Sequence, residues 1–81
     1  MRIKFLLFAL YRDLVGAEEL ELVVPPGSTA ADAVTALRAR GGGSSRLPER
    51  PVVAINRIYA GLDEILSDND ELALLPPVAG G

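Results

Sequence analysis

The chain contains no cysteine and no histidine among its 81 residues. Without cysteine there is no disulfide framework and no cysteine-based zinc site, so the cytoplasm is the default compartment. Without either residue, the usual general base, thiol nucleophile and transition-metal ligands are all missing. We therefore expect no metal site and no catalytic side chain, and the chain alone is not expected to be an enzyme.

Positive charge, aromatic residues and long apolar runs are also scarce. The net charge is −3, and there are only two Tyr and two Phe, which argues against nucleic acid and anionic membranes as partners. No apolar run approaches the roughly 18 residues of a membrane span. The start MRIKFLLFAL resembles a short signal peptide, but a polar Tyr-Arg-Asp follows at once and no cleavage site appears. A first β-strand fits better.

Two polar segments could be taken for a phosphate-binding loop and a calcium loop, but their residue spacing fits neither site. The run Gly41-Gly42-Gly43-Ser44-Ser45 lacks the Lys-Ser/Thr of a phosphate loop, so it predicts a flexible linker. The second segment is a cluster of five carboxylates: Asp63, Glu64, Asp68, Asp70 and Glu71. Their spacing fits no EF-hand calcium loop, so they predict a solvated turn.

Hydrophobic periodicity predicts one helix among several strands. Strands are expected over residues 2–8, 19–24, 52–55, 58–60 and 71–75. Thr29 and Asp32 form a capping-box pattern before an Ala-rich helix that ends near Arg40. Residues 9–15 suit a short helical turn stopped by Gly16. A turn near residues 62–66 should contribute core contacts. These are Leu62, Ile65 and Leu66.

This element order predicts an α+β, ubiquitin-like β-grasp fold, with a mixed sheet and one main helix packed on one face. The rival ferredoxin-like fold needs a second full helix, which residues 62–67 are too short to supply. Residues 1–75 are predicted to form the domain and residues 76–81 an extended flexible tail. Pro76 and Pro77 cannot donate to a strand ladder, so they should end the sheet and stiffen the base of the tail.

Four segments of the chain form a recognisable set: FALYRDLVG, the Asn56-Arg57 turn, SDNDELALL and the terminal PPVAGG. Together they resemble the small subunits of molybdopterin synthase, a family of sulfur carriers in molybdenum cofactor biosynthesis. The resemblance covers essentially the whole chain. Two departures are mild: Asn69 stands where the family commonly has Gly, and Ala79 stands where Ser or Thr is frequent.

The resemblance implies chemistry at the C-terminal carboxylate of Gly81. A ubiquitin-activating-type adenylyltransferase would adenylate it with ATP, and a sulfur donor protein would convert it to a thiocarboxylate. The carrier would then dock on the large synthase subunit, in a heterotetramer, and give sulfur to a cyclic pyranopterin precursor. No cofactor would be stably bound. Gly80 and Gly81 lack Cβ and could enter a narrow channel, preceded in the tail by Pro76, Pro77, Val78 and Ala79.

Strand alternation predicts where partners would dock. Ile3, Phe5 and Leu7 should face the helix, as should Leu72 and Leu74. Phe8 and Leu75 should then meet on the opposite face, at the root of the tail. Together with Tyr59 they resemble the family's apolar partner-binding patch.

Three alternatives stay open at this point. The chain resembles carriers for thiazole or cysteine synthesis, although thiazole carriers are usually shorter and lack the Pro-Pro. It also resembles protein modifiers, in which Gly81 would end on a lysine. An interaction domain with an accidental diglycine is the third.

Overall fold

The computed structural model describes residues 1–77, which form a five-stranded sheet with helices on one face. The strands are β1 (Arg2–Leu7), β2 (Glu19–Val23), β3 (Val52–Ile55), β4 (Ile58–Ala60) and β5 (Glu71–Leu75). The helices are α1 (Ala9–Val15), α2 (Ala30–Arg38) and a 3₁₀ helix (Gly42–Arg46). The strand order is β2-β1-β5-β3-β4, with β1 and β5 parallel and the other pairs antiparallel. This mixed sheet confirms the predicted α+β, β-grasp class.

The core lies between the sheet and the helices, as strand alternation predicted. Ile3, Phe5 and Leu7 are at most 2% exposed, and Leu72 and Leu74 are fully buried. From the helices, the core receives Tyr11, Ala30, Ala33, Val34 and Leu37. Apolar side chains of two central strands therefore meet the apolar stripe of α2, which stabilises this arrangement by burial.

The predicted helix signals are confirmed. The Thr29 hydroxyl accepts a hydrogen bond from the Asp32 N–H at 3.1 Å, and the Thr29 N–H donates to the Asp32 carboxylate at 3.0 Å. This reciprocal pair satisfies two backbone donors at the start of α2. Gly16, with φ 86°, ends α1 in the left-handed conformation that glycine adopts without strain.

The prediction of a flexible linker at residues 41–45 is wrong. The segment forms most of the 3₁₀ helix and packs against both α1 and α2, with Ser44 buried. The Arg38 side chain holds it by donating from Nε to the Leu47 carbonyl at 2.7 Å. Gly43 lies so close to α1 that an added Cβ would clash with the Leu14 carbonyl. The glycines therefore permit close packing here, in addition to a sharp turn.

One of the three predicted turn contacts is also wrong. Leu66 is buried and Leu62 packs partly against the core, but Ile65 is 66% exposed. The Leu66 N–H donates to the Ser28 carbonyl at 2.9 Å, and Ile65 forms an isolated bridge with Thr29. This pairing is extended, so the neighbouring side chains point in opposite directions. None of the helices in residues 1–77 is long and apolar enough to cross a membrane.

Candidate functional site: an apolar groove at the root of the tail

The sheet face opposite the helices carries a row of apolar side chains. Leu6 of β1 lies beside Ala73 of β5, which lies beside Ala54 of β3, which in turn lies beside Tyr59 of β4. These positions share one face because alternate residues of a strand point the same way. Four strands therefore contribute to one continuous apolar surface.

This surface forms a groove of about 460 Å³, called the outer-face groove below. It is lined by Leu6, Phe8, Ala54, Arg57, Tyr59, Glu71, Ala73 and Leu75. All three residues predicted to form the patch, Phe8, Tyr59 and Leu75, line it. The structure thus brings together residues that lie 67 positions apart in the chain, from Phe8 to Leu75.

Phe8 occupies the N-cap position of α1, where a polar residue is usually found. It has extended backbone at φ −121° and ψ 150°, and it makes no side-chain capping hydrogen bond. Ser, Thr, Asp and Asn are preferred there because their oxygens accept from the first free N–H groups. Phe8 instead keeps 45% of its surface exposed beside the groove. The chain forgoes a cap and exposes an aromatic ring at this point.

Tyr59 and Leu75 complete the apolar lining. Tyr59 is 77% exposed on the edge strand β4, and Leu75 is partly buried at the end of β5. Val52, directly opposite Leu75 and 54% exposed, extends the apolar area. A cluster of exposed apolar side chains on one face is typical of a protein–protein contact.

Four apolar residues of this surface were not predicted as part of the patch. They are Leu6, Val52, Ala54 and Ala73. Strand alternation does turn Leu6 and Ala73 to this face, beside Phe8 and Leu75. Residues 52–55 are all apolar, so the outward positions Val52 and Ala54 could not be distinguished from the inward Val53 without knowing which strands flank β3. The small side chains of Ala54 and Ala73 form the floor of the groove, which alternation alone does not reveal.

The polar end of the groove is built from the Asn56-Arg57 turn and the start of β5. Asn56 and Arg57 both have positive φ, 51° and 70°, as a two-residue hairpin turn requires. The Arg57 Nε lies 3.5 Å from a carboxylate oxygen of Glu71. Arg57 and Glu71 are the charged members of the groove lining.

The acidic residues near this turn hold backbone in place. The Asp68 carboxylate accepts from the Arg2 N–H at 2.7 Å, and the Asp70 carboxylate accepts from the Ser67 N–H at 2.7 Å. Within residues 1–77, no group of three or more acidic side chains is placed to hold a metal ion.

The tail begins beside the groove. β5 ends at Leu75, between β1 and β3, and Pro76 and Pro77 follow outside the strand, as predicted. Val78, Ala79, Gly80 and Gly81 lie outside the described residues, so the predictions made for them stay predictions. The base of the tail therefore lies at the end of a central strand, and Phe8 and Leu75 lie on the sheet face opposite the helices.

Comparison with known proteins adds independent information. A sequence model of the ThiS family matches residues 5–81. The chain is 36% identical over 81 residues to the molybdopterin synthase sulfur carrier subunit of Arabidopsis thaliana, a match that covers 100% of this chain and 84% of that protein.

Two solved structures have the same fold. The crystal structure of small archaeal modifier protein 1 of Haloferax volcanii has a TM-score of 0.74 at 30% identity, covering 95% of this chain and 98% of that one. A chain in the complex of subunits 1 and 2 of the molybdopterin-converting factor from Helicobacter pylori has a TM-score of 0.69 and 100% coverage of both chains. Its 22% identity makes it evidence for the fold alone.

Proposed function

Because the chain belongs to the ThiS family, we propose that it is a sulfur carrier subunit of molybdopterin synthase, charged at the C-terminal carboxylate of Gly81. The single observation that supports this most is the outer-face groove, which contains both Phe8 and Leu75, the last strand residue before the tail. Curated relatives that match the chain along its length carry the same functional name. In this proposal the folded domain binds the partner proteins, and the C-terminal tail carries the reactive group.

The proposed cycle needs no catalytic side chain on this protein. A partner adenylyltransferase uses ATP to form an acyl adenylate at Gly81 and releases pyrophosphate. The terminal sulfur of a persulfide on the sulfur donor attacks the acyl carbon, and the bond to AMP breaks. A thiol then cleaves the S–S bond of the resulting acyl disulfide, which leaves a thiocarboxylate on Gly81 and a disulfide on the donor. Sulfur then passes to a pyranopterin precursor on the large subunit, and water restores the carboxylate. Gly80 and Gly81 suit this role because they have no Cβ to obstruct a narrow channel or the acyl carbon.

The groove supplies the docking surface for these partners. Six residues from Pro76 to Gly81 reach roughly 20 Å when extended. A partner that receives the carboxylate must therefore bind within roughly 20 Å of the end of β5, and the outer-face groove is the apolar surface beside that end. The adenylyltransferase and the large subunit would bind the same surface, one after the other. We expect the cycle to run in the cytoplasm, which follows from the sequence argument above.

A protein modifier is the second candidate function, because small archaeal modifier protein 1 of Haloferax volcanii shares the fold at 30% identity. Carriers and modifiers share the chemistry up to the acyl adenylate. They differ in the nucleophile that follows, which is sulfur for a carrier and a lysine amine for a modifier. A search for lysines linked to Gly81 distinguishes the two.

Deletion of Gly81 tests the proposal directly. Wild-type and Gly81-deleted proteins would be incubated with the adenylyltransferase and sulfur donor of the same organism and ATP, and their intact masses measured. We expect the wild type to gain about 16 Da, for one oxygen replaced by sulfur, and the deleted protein to gain nothing. Removing a residue beyond the predicted domain should leave the melting temperature unchanged. Sulfur loading of the Gly81-deleted protein would contradict the proposal.

A further inference from the structure

Arg57 stands where glycine would be favoured. It is the second residue of the two-residue turn between β3 and β4, and its φ of 70° lies in the left-handed region. A side chain at this position is strained, and Asn-Gly is the usual sequence for such a turn. Strain at one defined position is a reason to ask what its side chain does.

The turn that carries Arg57 is fixed rigidly to the start of β5. The Asn56 N–H donates to the Glu71 carbonyl at 2.8 Å, and the Glu71 N–H donates to Asn56 Oδ1 at 3.0 Å. Asn56 Nδ2 donates to the Asp70 carboxylate at 2.9 Å. These three hydrogen bonds hold the backbone of the turn against β5 and so fix the point from which the Arg57 side chain starts.

Arg57 meets a carboxylate that the protein largely covers, and whose neighbour on β1, Lys4, pairs instead with Glu19. The Glu71 side chain is only 19% exposed, and it lines the groove with Ala73 and Leu75. The Arg57 side chain is 85% exposed, and its Nε lies 3.5 Å from Glu71 Oε1. The ion pair thus joins a mostly covered negative group to a positive group that faces solvent, at the end of an otherwise apolar groove.

We propose that Arg57 is a specificity-determining residue of the outer-face groove. When an apolar partner surface covers the groove and expels water, Arg57 compensates the charge of Glu71. Its remaining N–H donors then bind an oxygen acceptor on the partner, a carboxylate or a backbone carbonyl. This inference rests on the proposed function, because it takes the large synthase subunit as the partner that covers the groove.

The ion pair should matter in the complex and contribute little in the free protein. Water screens an exposed pair, so it adds little to the stability of a free domain. Once covered, a carboxylate that has lost its positive partner is strongly unfavourable. Replacing both members of a covered pair is far less costly than replacing one.

Arg57→Gly separates the proposed role from a role in the turn. It removes the side chain and relieves the strained φ, so the free protein should melt at the same temperature or higher. Its affinity for the large subunit, measured by calorimetry, should fall at least about tenfold. The double variant Arg57→Gly/Glu71→Gln should recover part of that loss, because the uncompensated charge of Glu71 is gone while the oxygen acceptor on the partner still lacks its donor. Arg40→Gly is the matched control, since it removes the same charge from an exposed residue just beyond α2, and its affinity should be unchanged.

The outcomes separate this inference from the proposed function when they are read beside Phe8→Asp. If Arg57→Gly binds like the wild type while Phe8→Asp binds much more weakly, the groove is the interface and Arg57 is only a turn residue. If the double variant binds no better than Arg57→Gly, Glu71 is not the group that Arg57 compensates. Both results overturn this inference and leave the proposed function intact. If Phe8→Asp also binds like the wild type, the groove is not the interface, and the docking surface assigned under the proposed function is wrong as well.

Discussion

Phe8→Asp should weaken partner binding strongly with little effect on folding, and the structure allows both effects to be estimated. Full burial of a Phe side chain contributes about 1.5–3 kcal/mol, and Phe8 is 45% exposed, so the lost burial is worth about 1 kcal/mol. Asp is a preferred N-cap, a change typically worth about 1 kcal/mol, and Phe8 has the extended backbone of an N-cap. The two effects nearly cancel.

The melting temperature of Phe8→Asp should therefore stay within a few degrees of the wild type, since 1 kcal/mol corresponds to about 4–8 °C in a domain of this size. Leu74→Ala is the comparison for a core position on the neighbouring strand. Leu74 is fully buried, and its truncation should cost about 2–5 kcal/mol. Thermal unfolding followed by circular dichroism measures both variants.

Binding should respond in the opposite way. The new carboxylate would lie in the groove that holds Glu71, where a covering partner removes water from both negative charges. We expect a loss of at least about 2 kcal/mol, or roughly 30-fold in Kd, for the adenylyltransferase and for the large subunit alike. Unchanged affinity for both partners would refute the docking surface. A melting temperature as low as that of Leu74→Ala would show instead that Phe8 belongs to the core.

Further substitutions test the packing on the helix side of the sheet. Gly43→Ala should lower the free energy of unfolding by several kcal/mol, because the added Cβ would clash with the Leu14 backbone. The control Gly61→Ala should cost much less, because its Cβ would meet the movable Asp63 carboxylate. Equal melting temperatures of the two variants would show that the 3₁₀ helix does not pack as described. Thr29→Ala should cost about 1 kcal/mol through loss of the α2 capping box, and a denaturant midpoint identical to the wild type would contradict that role.

The fold could be predicted because its main signals are local. Ile3, Phe5 and Leu7 alternate with outward residues, and Thr29 with Asp32 marks the start of α2. Such patterns depend on the period of a strand or on hydrogen bonds within one turn of a helix. The same alternation predicts Phe8 and Leu75 on one face, and both line the outer-face groove.

The misjudged features depend on contacts between distant segments. Gly43 reads as part of a linker because a glycine-rich run has the same composition whether it is flexible or packed closely against a helix. Ile65 and Leu66 are adjacent apolar residues. The hydrogen bond from the Leu66 N–H to the Ser28 carbonyl determines which of the two side chains points into the core. Ala54 and Ala73 become the floor of a groove only when β3 and β5 are paired.

The central claim is that Gly81 carries sulfur, and the intact mass of the protein from its own cells tests it most directly. Deleting the large subunit in those cells should make the charged carrier accumulate, because the acceptor of its sulfur is then absent. We predict a species about 16 Da heavier than the unmodified chain, which disappears when the large subunit and the pterin precursor are added. Finding only the unmodified mass, together with Gly81 linked to lysines of other proteins, would contradict the account.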